Sequence, residues 1–250
     1  MKKAILLGAL FSVGSSFAVP LVNAEFSVGA MSHDPSGYIQ YQGDKVDVKD
    51  GFGLEKETKP FARAKVELPI VPNLYLQYIP MKFEGQKTRT FTYGGYTFSG
   101  DVKTDVKLDH YDVGLYYNIP LVGTATAGLL DPELGINVRI INFDGKVTEL
   151  STNHTESKSV TIPVPMVYAG LGLNLPFVSL IGELRGITYS GSKYYDITAE
   201  ARLKPISIPG MASFFVGAGY RYERLELDDV GDVTADIKIK SLFANVGVAF

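Results

Sequence analysis

Three histidines, His33, His110 and His154, are the side chains that first invite a search for chemistry. His110 stands two residues before Asp112. On a strand such positions share a face, so the carboxylate could orient the imidazole as a general base. No motif sets a serine beside the pair, and Ser/His/Asp arrangements are recognised by geometry rather than by spacing. The plainer reading makes His110 a polar interior residue that pairs with Asp112 or Tyr116. His33 and His154 fall in stretches that read as external loops, and no two histidines stand at a short ligand spacing. No catalytic, metal or cofactor residue is therefore assigned. The chain has no Cys, which removes thiolate nucleophiles, thiolate metal sites, disulfides and a lipid-modified N-terminal cysteine. Asp228, Asp229 and Asp232 lack the Gly and bidentate Glu of an EF-hand loop and read as a solvated acidic loop.

A larger constellation lies in charges that recur at every second position. In 62–68 the even positions are apolar and the odd ones are Arg63, Lys65 and Glu67. The same phase collects Asp112, Glu133, Arg139, Glu183, Arg185, Asp196, Glu200, Arg202, Arg221 and Glu223 on one face of their segments. Period two is that of a strand. Ten such segments are expected, at about 26–32, 60–68, 74–83, 106–117, 133–143, 162–173, 178–189, 194–204, 212–225 and 234–250. Most exceed the ~5–6 residues usual in soluble sheets and suit a tilted strand that crosses a bilayer. Links 69–73, 174–177 and 204–211 are short and carry Pro, whereas 33–59, 84–105 and 144–160 are long and polar. Links 118–132 and 190–193 break that alternation. The expectation is an all-β fold: a transmembrane antiparallel up-and-down β-barrel of about ten strands, with eight as the alternative and both termini periplasmic.

Facing Arg or Lys toward hydrocarbon costs roughly 2–4 kcal/mol, so the charged face must be the lumen. A ten-stranded bore is narrow. Unpaired charges inside it would each lose several kcal/mol of solvation, so the charges are expected to interlock as a plug. Inward Gly135, Gly170, Gly172, Gly217 and Gly219 would make room for long neighbours or for Tyr116 and Tyr168. Outward Tyr111, Tyr117, Tyr195, Tyr220 and Phe250 suit an interfacial girdle. The segment 90–98 reads as a hairpin turning at Gly94-Gly95, with Phe and Tyr exposed.

The N-terminus supplies an address. Lys2 and Lys3 precede an uncharged apolar stretch, and Val22-Asn23-Ala24 offers small residues for a signal peptidase. Residues 1–24 are expected to be a cleaved Sec signal and 25–250 a single barrel domain of the outer membrane. With 24 basic against 27 acidic residues and a net charge of −3, nucleic acid is not an expected partner. Outer-membrane lipid is. The last segment carries Leu242, Ala244, Val246 and Val248 in phase with terminal Phe250.

A final amphipathic strand ending in Phe resembles the signal by which the barrel assembly machinery recognises its clients, which makes that machinery a further expected partner. More widely, the chain resembles an uncharacterised family of small outer-membrane β-barrel proteins of Gram-negative bacteria. The similar residues are Pro35 to Tyr41, the run from Ala62 to Tyr78, His110-Tyr111-Asp112 with Leu115-Tyr116-Tyr117, Tyr194-Tyr195-Asp196 and Gly219-Tyr220-Arg221. The resemblance implies location and fold and brings no active-site residues. The expected function is structural, or the binding of a ligand or partner through external loops. Alternatives are a narrow transport channel or, less favoured, a hydrolase using His110.

Overall fold

The computed structural model describes residues 23–250 other than 70, 209, 210, 231 and the side chain of Ser207. The expected signal thus lies outside the described residues apart from Asn23 and Ala24. The elements are β1 (Asn23–Tyr41), β2 (Lys45–Asp47), β3 (Glu57–Glu67), β4 (Asn73–Ile79), β5 (Lys82–Thr88), β6 (Phe91–Tyr93), β7 (Tyr96–Phe98), β8 (Asp101–Asn118), α1 (Pro120–Ala125), β9 (Leu130–Glu149), β10 (Thr155–Asn174), β11 (Val178–Tyr189), β12 (Ser192–Ile208), β13 (Ala212–Val230) and β14 (Val233–Ala249). Alternation produces these strands because each has a different solvent on either side.

Every long strand pairs antiparallel with its chain neighbour, and β14 closes on β1 from Glu25↔Ala249 to Tyr41↔Val233. Counting β4 and β5 as one stave, the barrel has ten strands. Closure leaves the barrel wall below its rim without an edge to unravel. The β4/β5 stave breaks at Pro80, which has no N–H for the ladder. There Met81 N–H donates to Asp109 Oδ1 at 3.1 Å, and Leu108 N–H donates to the Met81 carbonyl at 2.9 Å.

Asn23 and Phe250 lie at the same end, where the Phe250 N–H donates to the Ala24 carbonyl at 2.9 Å. That end also carries the short links, plus 119–129 with α1. At the opposite end the structure corrects three expected loops. Residues 144–160 are not a loop: β9 and β10 continue to a turn at 150–154. Segment 33–59 begins as strand up to Tyr41, and 84–105 contains most of β5, all of β6 and β7, and the start of β8. Where these strands run past the charged lumen the outward face is polar, so their composition reads as loop although the backbone is paired. The tight link at 190–193 is a two-residue turn, with Ser190 and Gly191 both at positive φ (48° and 84°), as twisted hairpins prefer.

The hairpin at Gly94-Gly95 forms as expected, with β6 paired to β7. Its phenylalanines are not exposed, however. Phe91 and Phe98 are buried with Phe52, Val46, Met31, Phe83 and Ile79 in an apolar core. Phe52 meets Phe91 edge-on at 5.6 Å. The hairpin and the 42–56 segment fold over this mouth, tied by Asp44 N–H to the Thr92 carbonyl and by Gly94 N–H to the Tyr41 carbonyl. Glu149, at the top of β9, anchors the hairpin's exit by accepting the Ser99 N–H at 3.0 Å and the Ser151 hydroxyl at 2.8 Å. These bonds hold its carboxyl below the ordinary value.

Candidate functional site

The inward face of the barrel gathers the charges that the alternation singled out, in two tiers beneath the apolar cap. In the tier nearer the termini, Glu200 accepts from Arg63 Nη2 at 2.7 Å, from Arg202 Nε at 2.7 Å and from Asn245 Nδ2 at 2.9 Å. Arg202 also reaches Glu25 at 2.6 Å. Lys65 bridges Glu133 at 2.8 Å and Glu183 at 3.2 Å, and the Tyr168 hydroxyl donates between the same two carboxylates. Arg185 pairs with Glu183 at 3.1 Å while its guanidinium lies 4.5 Å from the Tyr75 ring centre and 5.0 Å from that of Tyr168. Such stacking suits a cation withdrawn from water.

In the second tier Arg139 grips Asp112 with two bonds of 2.9 Å and reaches Asp196 at 2.5 Å. Arg221 holds Asp196 at 2.9 and 2.8 Å and Glu223 at 2.7 Å. Asn137 Nδ2 donates to Asp112 at 2.6 Å, and the Tyr194 hydroxyl donates to Glu223. Arg139, Arg185 and Asp196 are fully buried. A lone charge there would be untenable, and the interlocking pairs are what makes the burial possible.

Glycine lets the tiers close. A Cβ on Gly135 would lie 2.7 Å from Tyr116 Cα, and one on Gly170 would lie 2.9 Å from the Tyr168 hydroxyl. Below the tiers an open vestibule of about 270 Å³ faces the termini, lined by Lys65, Glu67, Asp131, Glu133, Arg202 and Lys204 among others.

Two histidine expectations are corrected. His33 is not on a loop: it is buried on β1, with Nδ1 2.9 Å from the Ser241 hydroxyl. His110 is inward and fully buried, but its Nδ1 faces Glu223 Oε1 at 3.4 Å rather than Asp112 or Tyr116. Arg139 and Asn137 already occupy Asp112, so the His110–Asp112 arrangement that could activate a water is not assembled. The void beside His110 measures about 10 Å³, the size of a single water. His154, at the β9–β10 turn, stacks on Tyr96 at 3.7 Å. Among the described residues no group of three or more His, Asp or Glu side chains converges to hold a metal.

Glu67 keeps the expected phase but sits at the vestibule rim, where it accepts from Asn23 Nδ2 at 2.8 Å. Glu25 was missed. It shares parity with inward Ser27 and His33, so phasing β1 one residue earlier would have found it. Tyr75 and Tyr194 were missed because an aromatic ring carries no phase information when lipid and lumen both accept it.

The outward face is apolar on strand after strand: Val28, Ile136, Val167, Leu203, Leu242 and Val246 are each more than half exposed. Exposed apolar surface of that extent is far beyond what soluble monomers carry and fits hydrocarbon. Among the described residues no helix is long and apolar enough to cross a membrane. Tyr111, Tyr117, Tyr220 and Phe250 are exposed as expected, and Tyr195 is half-buried.

No family model matches the chain, and no curated protein sequence matches it. Solved structures similar to it are outer-membrane β-barrel proteins. The outer-membrane protease OmpT of Escherichia coli is 12% identical with a TM-score of 0.48, covering 94% of this chain and 98% of that one. The attachment invasion locus protein Ail of Yersinia pestis is 14% identical with a TM-score of 0.35, covering 92% and 99%. Neisserial surface protein A is 15% identical with a TM-score of 0.35, covering 90% and 97%. The assignment as a closed ten-stranded barrel rests on the chain's own strand pairing.

Proposed function

We propose that the chain is an integral outer-membrane barrel, exported through a Sec signal in residues 1–24 and assembled through its C-terminal strand ending in Phe250. On this reading it serves a structural role or binds a ligand or partner at its capped, external end, and it belongs with the small outer-membrane barrels it resembles. The observation that carries the proposal is the double closure of the bore: two tiers of interlocked charge beneath an apolar cap of Phe52, Phe91, Phe98 and Met31. A selective pore is better served by an open path lined by one sign of charge. Purified protein in planar bilayers is expected to give no steady conductance. Reproducible openings would put the narrow-channel reading first. Outer-membrane fractionation, with unboiled and boiled samples migrating differently in SDS gels, checks the placement.

A further inference from the structure

The barrel wall has a notch. β10 pairs with β11 from Asn174↔Ser179 up to Val167↔Gly186 and no further, although β11 runs on to Tyr189. In the same register Pro165 would face Thr188 and Pro163 would face Ser190. The Asn174 N–H donates to the Leu129 carbonyl, and the His154 carbonyl accepts from Glu149. Even-numbered residues of β10 therefore bond toward β9, and alternation turns the odd ones toward β11. Pro165, opposite Thr188, thus offers β11 no N–H donor, Pro163 offers none to the turn beyond it, and the wall stays open there.

Behind the notch the interior is apolar where the lumen below is charged. Val160, Ile162, Val164 and Met166 share the inward phase of Tyr168. Yet Val160 is 38% exposed and Ile162 42%, because the short β11–β12 hairpin leaves nothing opposite them. Met166 and Ile141 form the base of this trough, with Val164 and Ile187 packed against them. Its lower lip is Val167↔Gly186↔Tyr195, where Tyr195 is one of the outward tyrosines and Val167, 62% exposed, continues the apolar outer face.

We propose that this notch is a side-entry binding site for one alkyl chain of a single-chain amphiphile such as a fatty acid, admitted from the outer leaflet. The proposal rests on the membrane reading above. Continuity with the lipid belt selects the occupant: an apolar chain can move from hydrocarbon into the trough without crossing water.

The chain contains no Trp, so a single introduced Trp reports the site. The probe is dibrominated stearic acid titrated into phosphatidylcholine vesicles holding the reconstituted protein. Val164→Trp, with Tyr189→Trp as a gentler second reporter, is expected to lose most of its emission saturably. Outward Leu184→Trp should be quenched only in proportion to probe content, and inward Phe215→Trp should be unaffected. Absent or merely proportional quenching at both trough reporters overturns the proposal, whereas an unquenched Leu184→Trp would instead defeat the membrane reading. Restoring the donors with Pro163→Thr and Pro165→Thr should abolish the saturable component. Its persistence would show that the notch is not the way in.

Discussion

Neutralising Glu200 tests whether the lumen is a dry ionic plug. The carboxylate accepts from Arg63 and Arg202, each at 2.7 Å, and its side chain is fully enclosed. In Glu200→Gln, Arg202 keeps Glu25 at 2.6 Å. Arg63 does not fare as well: its remaining carboxylates, Glu25 and Glu183, are both 3.8 Å away. One buried guanidinium thus loses its close partner, a situation that costs roughly 3–5 kcal/mol. The temperature at which the unboiled gel band converts to the boiled position should fall, and urea unfolding from vesicles should shift to lower denaturant. The exposed pair Lys82–Glu84 is the control, and Glu84→Gln should change neither measurement. Combining Arg63→Met with Glu200→Met should recover most of the loss, since an apolar pair can replace a buried ionic one at little cost. If Glu200→Gln matches Glu84→Gln, water reaches the tier and the plug argument fails.

Ile136→Arg turns a 61% exposed outward residue into a cation against lipid and should impair assembly by about 2–4 kcal/mol, read as loss of the heat-modifiable band. Its inward neighbour Asn137 is buried and donates to Asp112, so Asn137→Arg should also destabilise. Inward Gly172→Ser, whose added Cβ would make ordinary contacts with the nearest at 3.4 Å, is the better-tolerated comparison. Glu149 titrates below its ordinary value of 4.5. The stability it lends the hairpin is therefore present above that value and lost as pH falls through the depressed one. The protection of the Ser99 amide, its exchange rate taken relative to the intrinsic rate at the same pH, should fall on acidification, and Glu149→Gln should remove that pH dependence. Deleting Phe250 should slow assembly in cells, seen as accumulated unassembled chain, while sparing the stability of whatever barrel forms. Normal assembly would remove it as a recognition signal.

Alternation made the barrel legible because two incompatible solvents act on opposite faces of each strand, leaving Arg63, Arg139 and Arg221 one side to occupy. It did not reveal partners. Arg63 and Glu200 are separated by 137 residues in the chain, and their meeting depends on the stagger of the closed sheet, which no single strand encodes. It also missed the cap, because Val46, Phe52, Phe91 and Phe98 are spaced without period and owe their burial to tertiary packing alone. The notch left a trace that phasing could have caught. From Ile162 to Val167 both parities of β10 are apolar. A strand with charged lumen behind it has no use for Val164 and Met166 on that side. Apolar residues in both phases, interrupted by prolines in one, are what a strand carries when hydrocarbon lies outside it, an apolar trough inside it and no neighbour beyond its edge.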